Sequence, residues 1–283
     1  MTTRIVLVRH GETEFNADGR LQGQLDIPLS SVGIAQAEAV APVIAGMDPV
    51  AIVSSPLVRA RVTAETIGRA AGLEVGFDDR LKEVDVGQWA GETVPALHRN
   101  DPHYTHLMAS GEDFRRSDGE TTAEVAERVT AAVRDAVDEQ KNQTVCLVAH
   151  GFALRAAVVW LLGGGYPEFL RFGGLGNCSW TVLDRIGSGE ADRRGMDDRW
   201  RLRTYNATVL CLGDVGVLIG RVDLRPPRNL VPRMLQVVFV ALPGRSSWTW
   251  DTCPDRTSTP QCQGRPDAEL PFSRFINVPS QYS

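Results

Sequence analysis

Two histidines of this 283-residue chain each follow a short apolar run and precede a glycine. They occur as Arg9-His10-Gly11 after residues 5–8, and as His150-Gly151 after residues 145–149. A neutral imidazole is a competent nucleophile near neutral pH, because its ordinary pKa is about 6.5. One ring nitrogen stays free to attack if the other donates to a backbone carbonyl. Phosphoryl transfer without a metal also needs positive groups around the non-bridging oxygens and an acid for the leaving oxygen. Arg9 offers planar bidentate donors to phosphate, and Gly11 lets the backbone turn closely around it. Arg59 adds a charge in what reads as the first turn of a helix, where anions are already favoured. Arg61 lies about 200° around that helix and is expected in solvent. His150, as a cation or a hydrogen-bond donor, would stabilise the developing charge. Glu83 and Asp85 compete for the acid, and residue chemistry does not separate them. A carboxyl beside a bound phosphate is pushed towards its neutral form, as the role demands.

The elements that must position these groups are legible. Residues 5–8, 50–53 and 145–149 read as buried strands. Ser30 opens a helical pattern through Gln36, Ala37 and Val40. Ser55-Pro56 reads as the N-cap and first position of a helix to about Ile67, closing near Gly68. Residues 80–91 read as loop. Thr121 and Glu124 form a capping box before a helix to about Val137. A further helix is expected over roughly 153–162, and later strands over 179–183 and 201–208. This alternation predicts an α/β fold, a three-layer α/β/α sandwich with a mostly parallel central sheet. Ligands bind beyond the carboxyl ends of such strands. Arg9-His10, Ser54-Ser55 and His150-Gly151 should therefore meet in one crevice. The catalytic domain is expected over 1–212. Residues 213–283 hold nine of the 16 prolines with little periodicity, and are expected to be a poorly ordered extension.

Composition narrows the rest. A net charge of −5 implies no basic surface for nucleic acid. The five cysteines form no CxxC pair or zinc-ligand spacing and read as idle thiols. No apolar run is long enough for a membrane span, and Met1 leads straight into a strand with no leader pattern, so a cytoplasmic location is expected. His98, His103 and His106, around Pro102, are expected to be exposed or substrate-contacting in a segment that lids the site, rather than metal ligands. Arg115 and Arg116 are candidates for a substrate carboxylate.

The pattern resembles the histidine phosphatase superfamily, in the branch similar to cofactor-dependent phosphoglycerate mutase, over about residues 4–210. The motifs are Leu7-Val8-Arg9-His10-Gly11-Glu12-Thr13, Asn16, Leu21-Gln22-Gly23, and Leu29-Ser30 with Gly33, Gln36 and Ala37. They continue as Ser54-Ser55-Pro56-Leu57 with Arg59-Ala60, Leu81 with Glu83, Gly87, Trp89 and Gly91, Gly119-Glu120-Thr121, and Val148-Ala149-His150-Gly151. The resemblance implies His10 as the phosphorylated nucleophile and Arg9, Arg59 and His150 as the phosphate pocket. It implies Glu83 rather than Asp85 as proton donor, and Asn16 and Gln22 as phosphate or substrate contacts or loop-structuring residues. It implies no metal and no cofactor, a small phosphorylated substrate, no membrane partner, and a homodimer as a candidate assembly. A finer resemblance is to actinobacterial glucosyl-3-phosphoglycerate phosphatases. It lies in residues 173–180, in Arg199-Trp200-Arg201-Leu202 and in Tyr205-Asn206-Ala207, where Gly-Asn-x-Ser also reads simply as the start of a core strand. The alternatives are a phosphoglycerate mutase and a non-catalytic phospholigand-binding protein. The 66 residues from 84 to 149 are short for a mutase, and the intact set of site residues argues against a binding protein.

Overall fold

The computed structural model describes residues 2–186, 199–211 and 217–220. Seven strands form one sheet: β1 (Thr3–Arg9), β2 (Pro49–Ser54), β3 (Val75–Phe77), β4 (Thr144–Ala149), β5 (Trp180–Ile186), β6 (Arg199–Cys211) and β7 (Val217–Gly220). Their order is β3-β2-β4-β1-β5-β6-β7. The first four in that order run parallel. The helices are α1 (Glu14–Ala17), α2 (Ser31–Ala45), α3 (Val58–Ala71), α4 (Val94–Asn100), α5 (Pro102–Ser110), α6 (Thr122–Glu139), α7 (Gly151–Leu161) and α8 (Tyr166–Phe169).

Side chains of a strand alternate between faces, and here both faces are covered. Ile5, Leu7, Val145, Leu147 and Ala149 pack with α6 and α7. Val6, Val8, Cys146 and Val148 pack with Ala37, Val40 and Ile44 of α2 and Ala60, Ala64 and Ile67 of α3. Strands buried on both faces read as continuous apolar runs, which is why the runs at 5–8 and 145–149 are legible. Each fully buried Val, Leu or Ile contributes about 1.5–3 kcal/mol. Register then does the positioning. Arg9 pairs with Ala149, and Ser54 with Val148. His10, Ser55 and His150 therefore leave the sheet together at one end.

Several expectations are corrected. The helix expected from Ser55 begins at Val58, and Leu57, its N-cap, makes no side-chain cap bond. The cap comes from elsewhere in the chain: Asp26 accepts from the Val58 N–H at 2.6 Å. That helix runs on to Gly72, which takes the left-handed conformation at φ 69°. Gly68 lies inside it, and is glycine where a Cβ would meet the Leu73 carbonyl oxygen at 2.8 Å. β5 runs antiparallel to β1, and β6 antiparallel to β5, since the consecutive neighbours β5 and β6 need no crossover helix. β3, α4, α5 and α8 had no sequence-based expectation. Of the expected extension 213–283, β7 pairs antiparallel with β6, and the rest lies outside the described residues. No helix among the described residues is long and apolar enough to cross a membrane.

Candidate active site

His10 is held by its backbone before its ring does anything. Its N–H donates to the Ala149 carbonyl at 3.0 Å, and its carbonyl accepts from the Cys178 N–H at 3.1 Å and the Asn177 amide at 3.2 Å. The next residue packs on α2. A Cβ on Gly11 would lie 2.4 Å from the Gly33 carbonyl oxygen, and one on Gly33 would lie 2.0 Å from that of Glu12. Gly11 is thus needed for helix contact as much as for approach to phosphate. Gln36 accepts from the Glu12 N–H at 2.9 Å, and Thr63 from the Gly11 N–H at 3.1 Å. The turn is thereby tied to both α2 and α3.

His10 is 2% exposed. Its Nδ1 lies 2.6 Å from the Gly11 carbonyl oxygen. A carbonyl can only accept, so Nδ1 carries the proton and Nε2 keeps its lone pair. The His10 and His150 rings are 5.1 Å apart, centre to centre. His150 Nδ1 lies 3.2 Å from Nε of Arg59. An arginine can only donate, so His150 carries its proton on Nε2 and donates to Ser55 Oγ at 2.8 Å. Burial pushes both imidazoles well below the ordinary histidine range, and the nearby arginines add to that push. Both rings are therefore neutral at neutral pH. His150 is thus placed as a hydrogen-bond donor, with Ser55 as its partner.

Arg59 is fully buried. It donates to the carbonyls of Gly23 at 2.8 Å and Leu25 at 2.6 Å. Burial lowers its pKa to about 10, partly offset by Glu83 and Asp26, so it stays charged. Arg61 is exposed, as expected. Arg9 donates to the Leu175 carbonyl, while its buried Nε has no protein partner. A Cβ on Gly151 would come within 3.1 Å of that Nε, so the second His-Gly turn is glycine to admit Arg9.

The two candidate acids part company. Glu83 accepts from the N–H groups of Phe152 at 3.2 Å and Ala153 at 2.9 Å, at the N-terminus of α7 beside His150. Asp85 accepts from Gly87 N–H at 2.9 Å and structures its own turn. Asn16 is committed through Oδ1 to the Thr13 N–H and hydroxyl and to Asn177 at 3.1 Å. Its loop-structuring role is on view, and its amide NH2 remains to reach a ligand. Gln22 is buried, with Oε1 unpartnered, next to the Gly23 that holds Arg59.

His98, His103 and His106 are exposed on α4 and α5, with the His98 ring edge-on to Tyr104. Among the described residues no His/Cys/Asp/Glu group could hold a metal. Arg115 turns to Glu124 and the Gly119 carbonyl. Arg116 is buried, its guanidinium 4.3 Å from the Phe152 ring. Cys146 and Cys178 are free and buried, and burial raises both to about 12. Sequence reasoning gave two site residues no role there. Ser55 reads as a helix cap but serves His150. Asn177 reads as a strand start but bridges the His10 carbonyl and Asn16. The only signal for Ser55 was its place at a strand end.

The cradle matches known proteins. A family model, Histidine phosphatase superfamily (branch 1), matches residues 5–198. The chain is 37% identical over 220 residues to a glucosyl-3-phosphoglycerate phosphatase of Mycolicibacterium vanbaalenii, covering 75% of this chain and 98% of that protein. It is 37% identical over 184 residues to a probable phosphoglycerate mutase of Escherichia coli, covering 64% and 84%. A solved structure of the mycobacterial glucosyl-3-phosphoglycerate phosphatase with VO3 superposes with a TM-score of 0.65 at 36% identity, over 72% of this chain and 98% of that one. With its two His-Gly turns, buried arginine and carboxylate gathered at one end of the sheet, the chain belongs to the histidine phosphatase superfamily.

Proposed function

We propose that this phosphoric monoester hydrolase works through a phosphohistidine on His10. The Nε2 lone pair attacks phosphorus while Arg9 and Arg59 neutralise the non-bridging oxygens, joined by the ring N–H of His150 as it turns from Ser55 Oγ to the incoming phosphate. The bond to the leaving oxygen breaks, and Glu83 gives that oxygen its proton. Water then loses a proton to the Glu83 carboxylate and attacks phosphorus. The P–N bond electrons return to His10, and phosphate leaves. The observation that carries this reading is the 2.6 Å contact of His10 Nδ1 with the Gly11 carbonyl. It supports a tautomer whose Nε2 lone pair is free to attack. Asn16 and Gln22 would contact the phosphoester through the amide groups left over from loop structure.

The substrate proposed is a phosphoglycerate-type ester such as glucosyl-3-phosphoglycerate. The identity to the phosphatases over 220 residues supports it, as does the packing of residues 173–177. There Tyr205 and Asn206 hold the Gly173 and Gly174 carbonyls, and Asn177 touches His10. A mutase is the second reading, favoured by the 37% identity over 184 residues. Free buried thiols suit a reducing cytoplasm. Residues 1–212 are proposed to carry the activity, with 213–283 dispensable and a homodimer as the assembly.

The test is steady-state phosphate release in EDTA from glucosyl-3-phosphoglycerate, 3-phosphoglycerate, sugar phosphates and phosphoserine, with His10→Ala as control. Release that survives EDTA and is lost in His10→Ala is expected. Activity indifferent to His10→Ala would sink the reading, and conversion of 3-phosphoglycerate without phosphate release would select the mutase. A chain shortened to residues 1–220 should keep this activity, and sedimentation should report a dimer.

A further inference from the structure

The motif Gly119-Glu120-Thr121 touches neither histidine, yet it sits where the loop carrying Glu83 is fastened. Gly119 allows close approach: a Cβ there would lie 2.1 Å from the Asp85 carbonyl oxygen. Glu120 accepts from the Asp85 N–H at 2.9 Å, and its own N–H donates to the Asp85 carbonyl at 2.9 Å. Thr121 and Glu124 form the capping box of α6. Nearly two turns into that helix, Arg128 closes the arrangement. Its Nε and Nη2 donate to the two Glu120 oxygens at 2.7 and 2.8 Å. Its Nη1 donates to the carbonyls of Arg80 at 2.7 Å and Lys82 at 2.6 Å. Its remaining Nη2 proton goes to the Glu83 carbonyl at 2.9 Å, which also accepts from Gln24 at 3.1 Å. An arginine has five N–H donors, and all five are used.

Three of those donors grip backbone carbonyls in the four residues that end on Glu83, and Glu120 grips two residues beyond it. The support is stiff. Val125, Val129 and Val133 of α6 are fully buried, and the Arg128 and Glu120 side chains are only 19% and 21% exposed. The Glu83 carboxylate must reach the leaving oxygen from a segment without strand or helix pairing, and a displacement of about 1 Å can cost about 100-fold in rate. We propose that Arg128, braced by Glu120, is the positioning residue for the proton donor. This rests on the reading of Glu83 as that donor.

The experiment compares kcat/KM for two esters on the same preparation, which cancels any loss of folded protein. An alkyl phosphate needs a proton on its leaving oxygen, whereas p-nitrophenyl phosphate releases a stable phenolate without one. Arg128→Lys keeps the charge but cannot span three carbonyls, and Glu120→Gln keeps the shape but not the ion pair. Each should lower kcat/KM on the alkyl ester by about 10- to 100-fold. On p-nitrophenyl phosphate the loss should stay below about threefold, since proton donation is not needed there. Glu83→Gln should show the same split more strongly. Equal losses on both esters in the Arg128 and Glu120 variants, with the split intact in Glu83→Gln, would make the pair merely structural and overturn the proposal. No split in Glu83→Gln would overturn the proton-donor reading itself, and the positioning role with it.

Discussion

At the scale of residues, the site works by pairing a ring nitrogen of each histidine with a partner of known hydrogen-bonding sense. The Gly11 carbonyl sets the His10 tautomer, and Arg59 sets that of His150. With both pKa values held well below 6.5 by burial, histidine-labelled NMR should show neither ring gaining a proton as pH falls from 8 to about 6.5. A titration of His10 in that window would contradict the geometry. Ser55→Ala strands the His150 Nε2–H in a buried site, so urea unfolding should show a loss of about 1–3 kcal/mol. An unchanged midpoint would mean the Ser55 contact is idle. Arg9, His10, Arg59 and His150 could be named from residue type and neighbours alone. Choosing Glu83 over Asp85 could not be done that way, because two carboxylates two residues apart differ only in which backbone N–H groups they meet.

At the scale of elements, strands and capped helices were readable because their causes are local. The Thr121–Glu124 box starts α6 where expected. Thr121→Ala should therefore cost about 1 kcal/mol and lower Tm by about 2–4 °C, read by calorimetry. Gly33→Ala should do more. Its Cβ would meet the Glu12 carbonyl, forcing the His10-Gly11 turn away from α2. A stability loss of at least about 1–3 kcal/mol should accompany a fall in kcat/KM, and full activity would show the turn to be independent of α2. The start of α3 was misread because its cap, Asp26, is supplied from 32 residues away. Nothing in the sequence around Ser55 reports that.

At the scale of the whole molecule, two buried neutral histidines tie stability to pH. The unfolded chain binds protons at both near pH 6.5, while the folded chain resists until the lowered values are reached. Below about 6.5 the unfolded state holds more protons, so stability falls with pH. Above 6.5 this contribution is present in full. The urea midpoint should drop between pH 7.5 and 5.5. A midpoint that stays level across that interval would show that the two rings titrate normally when folded.

The sequence by itself determined the buried parallel strands, the His-Gly turns at their ends and the family. All three depend on short-range pattern: apolar runs, glycine at a turn, arginine beside histidine. Only the tertiary structure decided which groups meet. Register brings Arg9 level with Ala149, Ser55 to His150, Asn177 to His10 and Arg128 to the loop of Glu83. These contacts join residues 45 to 167 positions apart. Their reach is set by how the sheet and helices pack, which no local pattern encodes.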